Sequence, residues 1–169
     1  KARLSKELPE GLAKLDPYQF FNYPPQAYSN FNTGEIKPRG WIKVQMEKDL
    51  EGFIGQLGEL APQVLETDDI YGKDRRTNLE QGTDVSPNAL AWWNSESQSN
   101  WWDGLIRSAI LTENADYLQE VKLYVDDKFG TQESDGYLGI YAQDLRFLEE
   151  GENADFWSQA SLLRGLLAY

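Results

Sequence analysis

Residues 132–139 read QESDGYLG, and they stand between two segments with helical periodicity. The pair Asp135-Gly136 favours a tight turn in which the glycine adopts a positive φ. Tyr137 and Leu138 follow directly, and we expect both side chains to fold back onto a hydrophobic core. The stretch therefore predicts a turn between two packed helices, and the segments on either side of it set the fold.

Three helices are predicted around this turn. The first runs from about Asn100 to Leu111, the second starts after Asn114, and the third runs from about Ala154 to the end. Asn114 is a favourable N-cap because its side chain can accept backbone N–H groups of the first turn. Apolar residues recur at helical spacing in all three: Trp101, Leu105, Ile106, Ala109 and Ile110; Tyr117, Leu118, Val121, Tyr124, Val125 and Phe129; Phe156, Ala160, Leu163 and Leu167. The pattern predicts an all-α protein with no sheet larger than a short hairpin.

A further helix is predicted from Pro38 to Leu60. Proline suits the first turn of a helix, and the apolar residues Ile42, Met46, Phe53 and Leu57 follow helical spacing. Glycine recurs at positions 52, 55 and 58, and inside a helix each glycine costs about 1 kcal/mol relative to alanine. We therefore expect a neighbouring helix to approach closely along these glycines.

The rest of the chain is predicted to lie outside these helices. Residues 1–36 lack periodicity and mix aromatic residues with prolines, which predicts an aromatic-anchored arm, or a loop that contacts substrate, ahead of a domain over 37–169. Residues 66–99 are polar, which predicts a long surface excursion of the kind that is usually functional, with a short helix near 88–92. The chain stops at Tyr169 inside an apolar pattern without a capping residue, so we expect a piece of a longer protein.

The charge balance excludes some partners. The chain carries 16 basic and 28 acidic residues, a formal net charge of -12. An acidic chain without a dense basic run is a poor match for the phosphates of nucleic acids and is repelled by anionic lipids. No apolar run approaches the roughly 20 residues that span a bilayer. We therefore expect neither a nucleic acid nor a membrane as a partner.

The chain contains no Cys and no His. A Cys or His nucleophile, a Ser-His-Asp triad and a typical zinc site are thus excluded within these residues. Carboxylate, Tyr, Ser, Thr, Lys and Arg chemistry remains. No metal or cofactor is expected in this segment.

An ordered set of motifs goes beyond composition. It consists of KPRGW at 37–41, NWWDG at 100–104, QESDGYLG at 132–139, and GEN at 151–153 followed by FW at 156–157. The set resembles the N-terminal region of glycoside hydrolase family 127, the β-L-arabinofuranosidase-like proteins, over about residues 36–169. At 97–101, where the best-studied branch of that family has His residues, this sequence reads SQSNW, so the resemblance leaves the sugar open.

The resemblance implies an (α/α)6 barrel, with six inner helices, six outer helices and the active site at one mouth. The helices from Trp101 and Ala154 would be inner and parallel, the helix from Ala115 would be outer and antiparallel, and the chain would be the N-terminal portion of the catalytic domain. The resemblance also implies extracellular or periplasmic work on plant-derived or glycoconjugate oligosaccharides. In the best-studied branch, a zinc-bound Cys acts as nucleophile and a Glu as acid/base. Both would lie in the remainder of the domain, as would the zinc.

Four residues are candidates for binding substrate: Trp102, Asp103, Glu152 and Trp157. Sugar sites combine aromatic platforms with carboxylates and amides, because sugar rings have apolar faces edged by hydroxyls. We expect the four to line one concave surface, with residues 94–100 as a polar loop above it. Core packing is the alternative for each Trp, and a favourable helix dipole is the alternative for Asp103 in its first turn. The sequence does not single out catalytic residues.

Two other functions fit the same pattern. One is a non-catalytic helical module that binds sugar or protein. The other is a uronide hydrolase or lyase on the same toroid, which would use the basic cluster of Lys73, Arg75 and Arg76 to bind a uronate carboxylate. A solvated surface loop is the alternative for that cluster.

Overall fold

The computed structural model describes residues 28, 30–62, 69–77, 92–148 and 153–169. The contacts divide the chain into two units, Lys1–Phe31 and Asn32–Tyr169, and the description below concerns the second. The domain boundary expected after residue 36 stays a prediction. Over the described ranges every regular element is a helix, and the β pairing is limited to one isolated bridge between Arg76 and Tyr141. The all-α class is confirmed for these ranges.

Five α-helices and one short 3-10 helix make up the described part. They are α1 (Trp41–Glu51), α2 (Phe53–Leu60), α3 (Trp92–Thr112), α4 (Ala115–Gly130), the 3-10 helix Gln143–Leu145, and α5 (Asp155–Ala168). α4 begins as predicted, because Asn114 Oδ1 accepts the N–H groups of Asp116 and Tyr117 at 3.1 and 3.2 Å. The single helix predicted over 38–60 was wrong. The chain turns at Gly40, with φ of 60°, and breaks between α1 and α2 at Gly52.

α3 is the central element and packs against each of the other four α-helices. The core around it is formed by Leu50, Ile70, Tyr71, Leu105, Ile106, Ala109, Val121, Tyr124, Val125, Ile140, Tyr141, Leu162 and Ala168. The prediction that residues 66–99 form a surface excursion was wrong for both parts that the structure describes, 69–77 and 92–99. Ile70 and Tyr71 are fully buried, and residues 92–99 form the first turns of α3, where Ser95 and Ser99 are buried. The polar loop expected over 94–100 is therefore helix.

α3 and α5 run parallel. The hydroxyls of Ser95 and Ser158 lie 2.8 Å apart near the two helix starts. Further along, a Cβ added to Gly165 would lie 3.5 Å from the Cα of Asp103. α4 follows α3 after a two-residue connection and runs antiparallel to it, since the ring of Trp102 stacks on that of Tyr124 with centroids 3.8 Å apart. The directions expected for these three helices are confirmed.

The face that α5 buries is not the apolar stripe predicted for it. Its buried residues are Asp155, Ser158, Leu162, Gly165 and Ala168. Phe156 and Leu167 of the predicted stripe are 71% and 77% exposed, and Leu163 is also exposed. Small residues let two helices approach closely, so packing against α3 selects the small face over the apolar one. Phe129, predicted on the buried face of α4, is likewise exposed.

The turn over 132–139 has the predicted geometry. Gly136 adopts a φ of 92°, and the Glu133 N–H donates to the Tyr137 carbonyl at 3.0 Å. Tyr137 is buried and Leu138 packs against the core, as expected. Gly139 cannot carry a side chain without disturbance, because an added Cβ would lie 2.5 Å from the Tyr137 hydroxyl.

The glycines at 52 and 55 have different roles. Gly52 ends α1. Gly55 is the point of close approach that the repeat predicted: an added Cβ would lie 1.9 Å from the Leu50 carbonyl oxygen and 2.0 Å from the Tyr117 hydroxyl of α4. Both neighbours are held by a hydrogen bond of 2.7 Å from that hydroxyl to that carbonyl, so neither can move aside cheaply.

We predict opposite effects for alanine at two helical glycines. Gly55→Ala should lower the free energy of unfolding by about 2 kcal/mol, because overpacking at Leu50 and Tyr117 exceeds the gain in helix propensity. Gly104→Ala is the matched control: no atom lies within 4 Å of its added Cβ. It should raise stability by about 0.5–1 kcal/mol. Urea unfolding measures both, and equal effects would contradict the packing at Gly55.

Candidate functional site

Two cavities open at opposite faces of α3. The α3–α5 groove has a volume of about 320 Å³ and is lined by Glu96, Asn100, Trp157, Ala160, Ser161 and Arg164. The α2–α4 cavity has a volume of about 410 Å³ and is lined by Gly55, Gln56, Gly58, Glu59, Trp101, Trp102, Asp116, Tyr117 and Glu120. The groove uses Glu96 and Asn100 of α3, and the cavity uses Trp101 and Trp102. At 3.6 residues per turn, these two pairs lie on opposite sides of the helix.

A charged brace crosses from α5 to α3 beside the groove. Arg164 donates from Nε to Asp103 Oδ2 at 2.9 Å, and its guanidinium also donates to the Asn100 amide oxygen. Asp103 accepts a second bond, from Arg107 Nε at 2.7 Å. The Asp103 side chain is 13% exposed, whereas the side chains of both arginines are exposed. Asp103 therefore links α3 to α5 through Arg164, whereas its bond to Arg107 lies within α3.

The position of Asp103 corrects the prediction that placed it in a first helical turn. α3 begins at Trp92, so Asp103 lies near its middle. The ion pair of Arg107 with Asp103 is exposed on the arginine side. The helix dipole is weak so far from the helix end, and the position of Asp103 is instead explained by its two arginine partners.

The structure brings two of the four predicted residues to one region. Trp157 is 56% exposed and lines the groove beside Arg164, which contacts Asp103. Trp102 lies at the opposite face of α3, where its ring stacks on Tyr124 and lines the α2–α4 cavity. Glu152 lies outside the described residues. The binding roles of all four stay predictions.

Four residues that line the groove were not predicted as site residues: Glu96, Asn100, Ser161 and Arg164. Positions 96, 100, 103 and 107 recur every three or four residues, so their side chains share one face of a helix. This spacing is the sequence pattern that identifies Glu96 and Asn100 as neighbours of Asp103. This pattern can be recognised only if α3 begins at Trp92. The two turns before Asn100 are polar, so apolar periodicity does not indicate a helix there.

A buried hydroxyl cluster fixes the register of α5 on α3. The Tyr71 hydroxyl donates to the Ser158 carbonyl at 2.9 Å and lies 2.8 Å from the Ser99 hydroxyl. Burial raises the pKa of Tyr71 to about 12, so the phenol stays protonated and can donate at neutral pH. The hydroxyls of Ser95 and Ser158 add a further contact. Together these bonds set where Trp157 stands relative to Asn100.

A buried carboxylate anchors the start of α5. Asp155 accepts hydrogen bonds from the Tyr137 hydroxyl at 2.8 Å, the Phe147 N–H at 3.1 Å and the Gln159 amide at 2.9 Å. Burial, with Asp155 nearby, raises the pKa of Tyr137 well above its usual value, so its hydroxyl remains a donor. Asn153 stands one residue before the capping position of α5 and accepts the Asp155 N–H at 3.0 Å.

The turn and the basic cluster form one charged unit. The guanidinium of Arg146 lies 3.7 Å from the centre of the Tyr137 ring, and Glu133 accepts hydrogen bonds from both Arg146 and Arg75. The Arg146 hydrogen bond lowers the pKa of Glu133. Arg75 also donates to three backbone carbonyls, and Arg76 is buried over the ring of Tyr141. The solvated loop predicted for this cluster was therefore wrong for both arginines.

Within the described ranges, no group of three or more Asp or Glu residues is arranged to hold a metal ion. None of the described helices is both long enough and apolar enough to cross a bilayer.

Comparison of the chain with known protein families, with curated proteins and with solved structures finds no match. Function therefore has to be inferred from the groove, the cavity and the helices that carry them.

We predict that Glu133→Gln destabilises the fold in a pH-dependent way. The pKa of Glu133 is lowered by folding, so its contribution is present above the pKa of the unfolded chain and is lost as pH falls through the folded value. At pH 7 the variant should lose about 1 kcal/mol, a modest figure because the Glu133 side chain is 36% exposed. The difference from the wild type should shrink below about pH 4.

Asp126→Asn is the matched control, since it breaks the exposed pair with Lys122. Its effect in urea unfolding should be much smaller. The proposed stabilisation of the fold by the Glu133–Arg146 pair would be contradicted by equal losses of unfolding free energy in the two variants. It would also be contradicted by a loss in Glu133→Gln that does not change between pH 7 and pH 3.

Proposed function

We propose that this chain is the N-terminal portion of a glycoside hydrolase on an (α/α)6 barrel, acting on plant or glycoconjugate oligosaccharides outside the cytoplasm. The order of helix directions supports the proposal. α3 and α5 are parallel neighbours, and α4, which lies between them in the chain, runs back antiparallel to α3. An inner helix, an outer helix and a second inner helix repeat in this order around such a barrel.

The α3–α5 groove is the proposed substrate contact, and the exposed indole of Trp157 is the observation that carries it. The indole lines the groove together with the Glu96 carboxylate, the Asn100 amide and the Ser161 hydroxyl. A sugar ring offers an apolar C–H face to an aromatic ring and hydroxyls to polar groups around it. The volume of about 320 Å³ lies at the lower end of the range for small-molecule pockets.

The groove supplies fewer carboxylates than glycoside hydrolysis requires. Glycosidases generally use two carboxyl groups, about 5–5.5 Å apart when they retain configuration and about 6.5–9.5 Å apart when they invert it. Among the described residues, Glu96 is the carboxylate that lines the groove. Asp103, beside the groove, is already bound to Arg107 and Arg164. The second group, and the zinc-bound thiolate of the resembling family, would come from the remainder of the domain.

The alternative functions differ in what supports them. A uronide hydrolase or lyase needs a cation for the substrate carboxylate, but Arg75 and Arg76 are committed to internal contacts. Arg164 is bound to Asp103. A non-catalytic sugar-binding module needs only the groove. It would bind sugars as this chain stands and would bind them equally well when Glu96 is neutralised.

We predict that this chain alone hydrolyses aryl arabinofuranosides no faster than buffer, because within the residues that the structure describes one carboxylate, Glu96, lines the groove. Release of the aryl group is followed by absorbance over a day. Turnover that Glu96→Gln or Asp103→Asn abolishes would contradict this prediction and would show that the chain carries its own chemistry.

We also predict that arabino-oligosaccharides bind the chain through Trp157. In calorimetric titration, Trp157→Ala should raise the dissociation constant at least about tenfold, because loss of a stacking ring costs on the order of 1.4 kcal/mol. Trp41→Ala is the matched control, since Trp41 is also exposed and does not line the groove. Absence of binding by the wild type, or equal losses in both variants, would remove the groove from the proposal.

A further inference from the structure

The α2–α4 cavity has aromatic walls. Trp101 and Trp102 meet edge to face with ring centroids 4.6 Å apart, and Tyr117 completes the aromatic lining. The Trp101 indole N–H donates to the Ile54 carbonyl at 2.8 Å, and the Tyr117 hydroxyl donates to the Leu50 carbonyl at 2.7 Å. The polar atoms of these two rings are thus bound to backbone. A ligand in the cavity would meet their ring surfaces.

Carboxylates line the same cavity without a cation beside them. Glu59, Asp116 and Glu120 contribute to the lining, and no Lys or Arg does. Within the part of the chain that the structure describes, none of the three forms an ion pair. Burial alone raises the pKa of Glu120, as expected for a carboxylate that is partly withdrawn from water without an opposite charge. The cavity is therefore negative as well as aromatic.

This combination selects among ligand classes. The described carboxylates are not arranged to hold a metal ion. A neutral sugar can donate hydroxyl hydrogen bonds to carboxylates, but it leaves their three negative charges uncompensated. A cation with alkyl groups on its nitrogen satisfies both features, because the face of an aromatic ring attracts cations and nearby carboxylates attract them further.

We propose that the α2–α4 cavity binds an alkylammonium cation, with its alkyl groups against Trp101, Trp102 and Tyr117 and its charge near Glu59 and Glu120. The site is separate from the α3–α5 groove. It uses the opposite face of α3 and shares no lining residue with it. It stands whether or not the groove binds sugars.

Choline is the probe, and its neutral isostere 3,3-dimethylbutan-1-ol is the matched ligand. Choline should shift the indole N–H resonances of Trp101 and Trp102 and leave that of Trp157 unchanged. The isostere should bind at least about tenfold more weakly, which corresponds to about 1.4 kcal/mol for the cationic part of the interaction. Equal binding of the two, absence of choline binding, or displacement of choline by an equal concentration of Mg²⁺ would overturn the proposal.

Charge-removing variants locate the site. Glu120→Gln should raise the choline dissociation constant about fivefold or more, whereas Glu47→Gln removes the same charge from α1 outside the cavity and should leave it unchanged. Thermal unfolding checks that each variant folds, and Asp116→Asn replaces Glu120→Gln if that variant does not.

The comparison of variants decides between a site and a general field. Equal losses in the Glu47 and Glu120 variants would mean that choline responds only to overall charge, and no loss in the cavity variants would place it elsewhere. Either result overturns the proposal. Sugar binding to Trp157, measured on the same samples, tests the groove separately.

Discussion

The parallel contact between α3 and α5 is the constraint on which the rest of the structure depends. It is made by small residues, with Ser95 against Ser158 at one end and Gly165 against Asp103 at the other. Close packing of this kind excludes large side chains from the contact and sends the apolar residues of α5 to its outer face. It also creates the groove, since Asn100 and Trp157 stand on adjoining edges of the two helices.

The sequence predicted the helices that carry apolar periodicity but missed the first turns of α3, which are held by polar contacts. α4 was predicted well because Val121, Tyr124 and Val125 are both apolar and buried, and Asn114 caps it. The first turns of α3 were taken for a loop because their buried residues are Ser and Asn. Burial of a hydroxyl can be predicted only when its hydrogen-bond partner is known. The partner of Ser95 is Ser158, which lies 63 residues away in the chain.

The burial of charged residues was also hard to predict, because their partners lie far away in the sequence. Arg75 and Arg76 look like a solvated basic cluster in the sequence, because their partners Glu133 and Tyr141 lie far along the chain. Likewise, the groove was only half predicted. Trp157 and Asp103 were chosen for their chemistry, but Asn100 and Arg164 join them only once the register of two helices is known. Trp102 lies on a different face of α3 from the groove, since its ring stacks on Tyr124.

The hydroxyl contact of Ser95 with Ser158 has a consequence for the order of folding. α3 and α4 are joined by two residues and can pair through contacts that are local in sequence, whereas α5 must close a loop of 63 residues to reach Ser95. Loop closure of that length costs chain entropy before any contact offsets it. We therefore expect the α3–α4 hairpin to form first and α5 to dock on it. The groove, which needs both α3 and α5, is complete only after that late step.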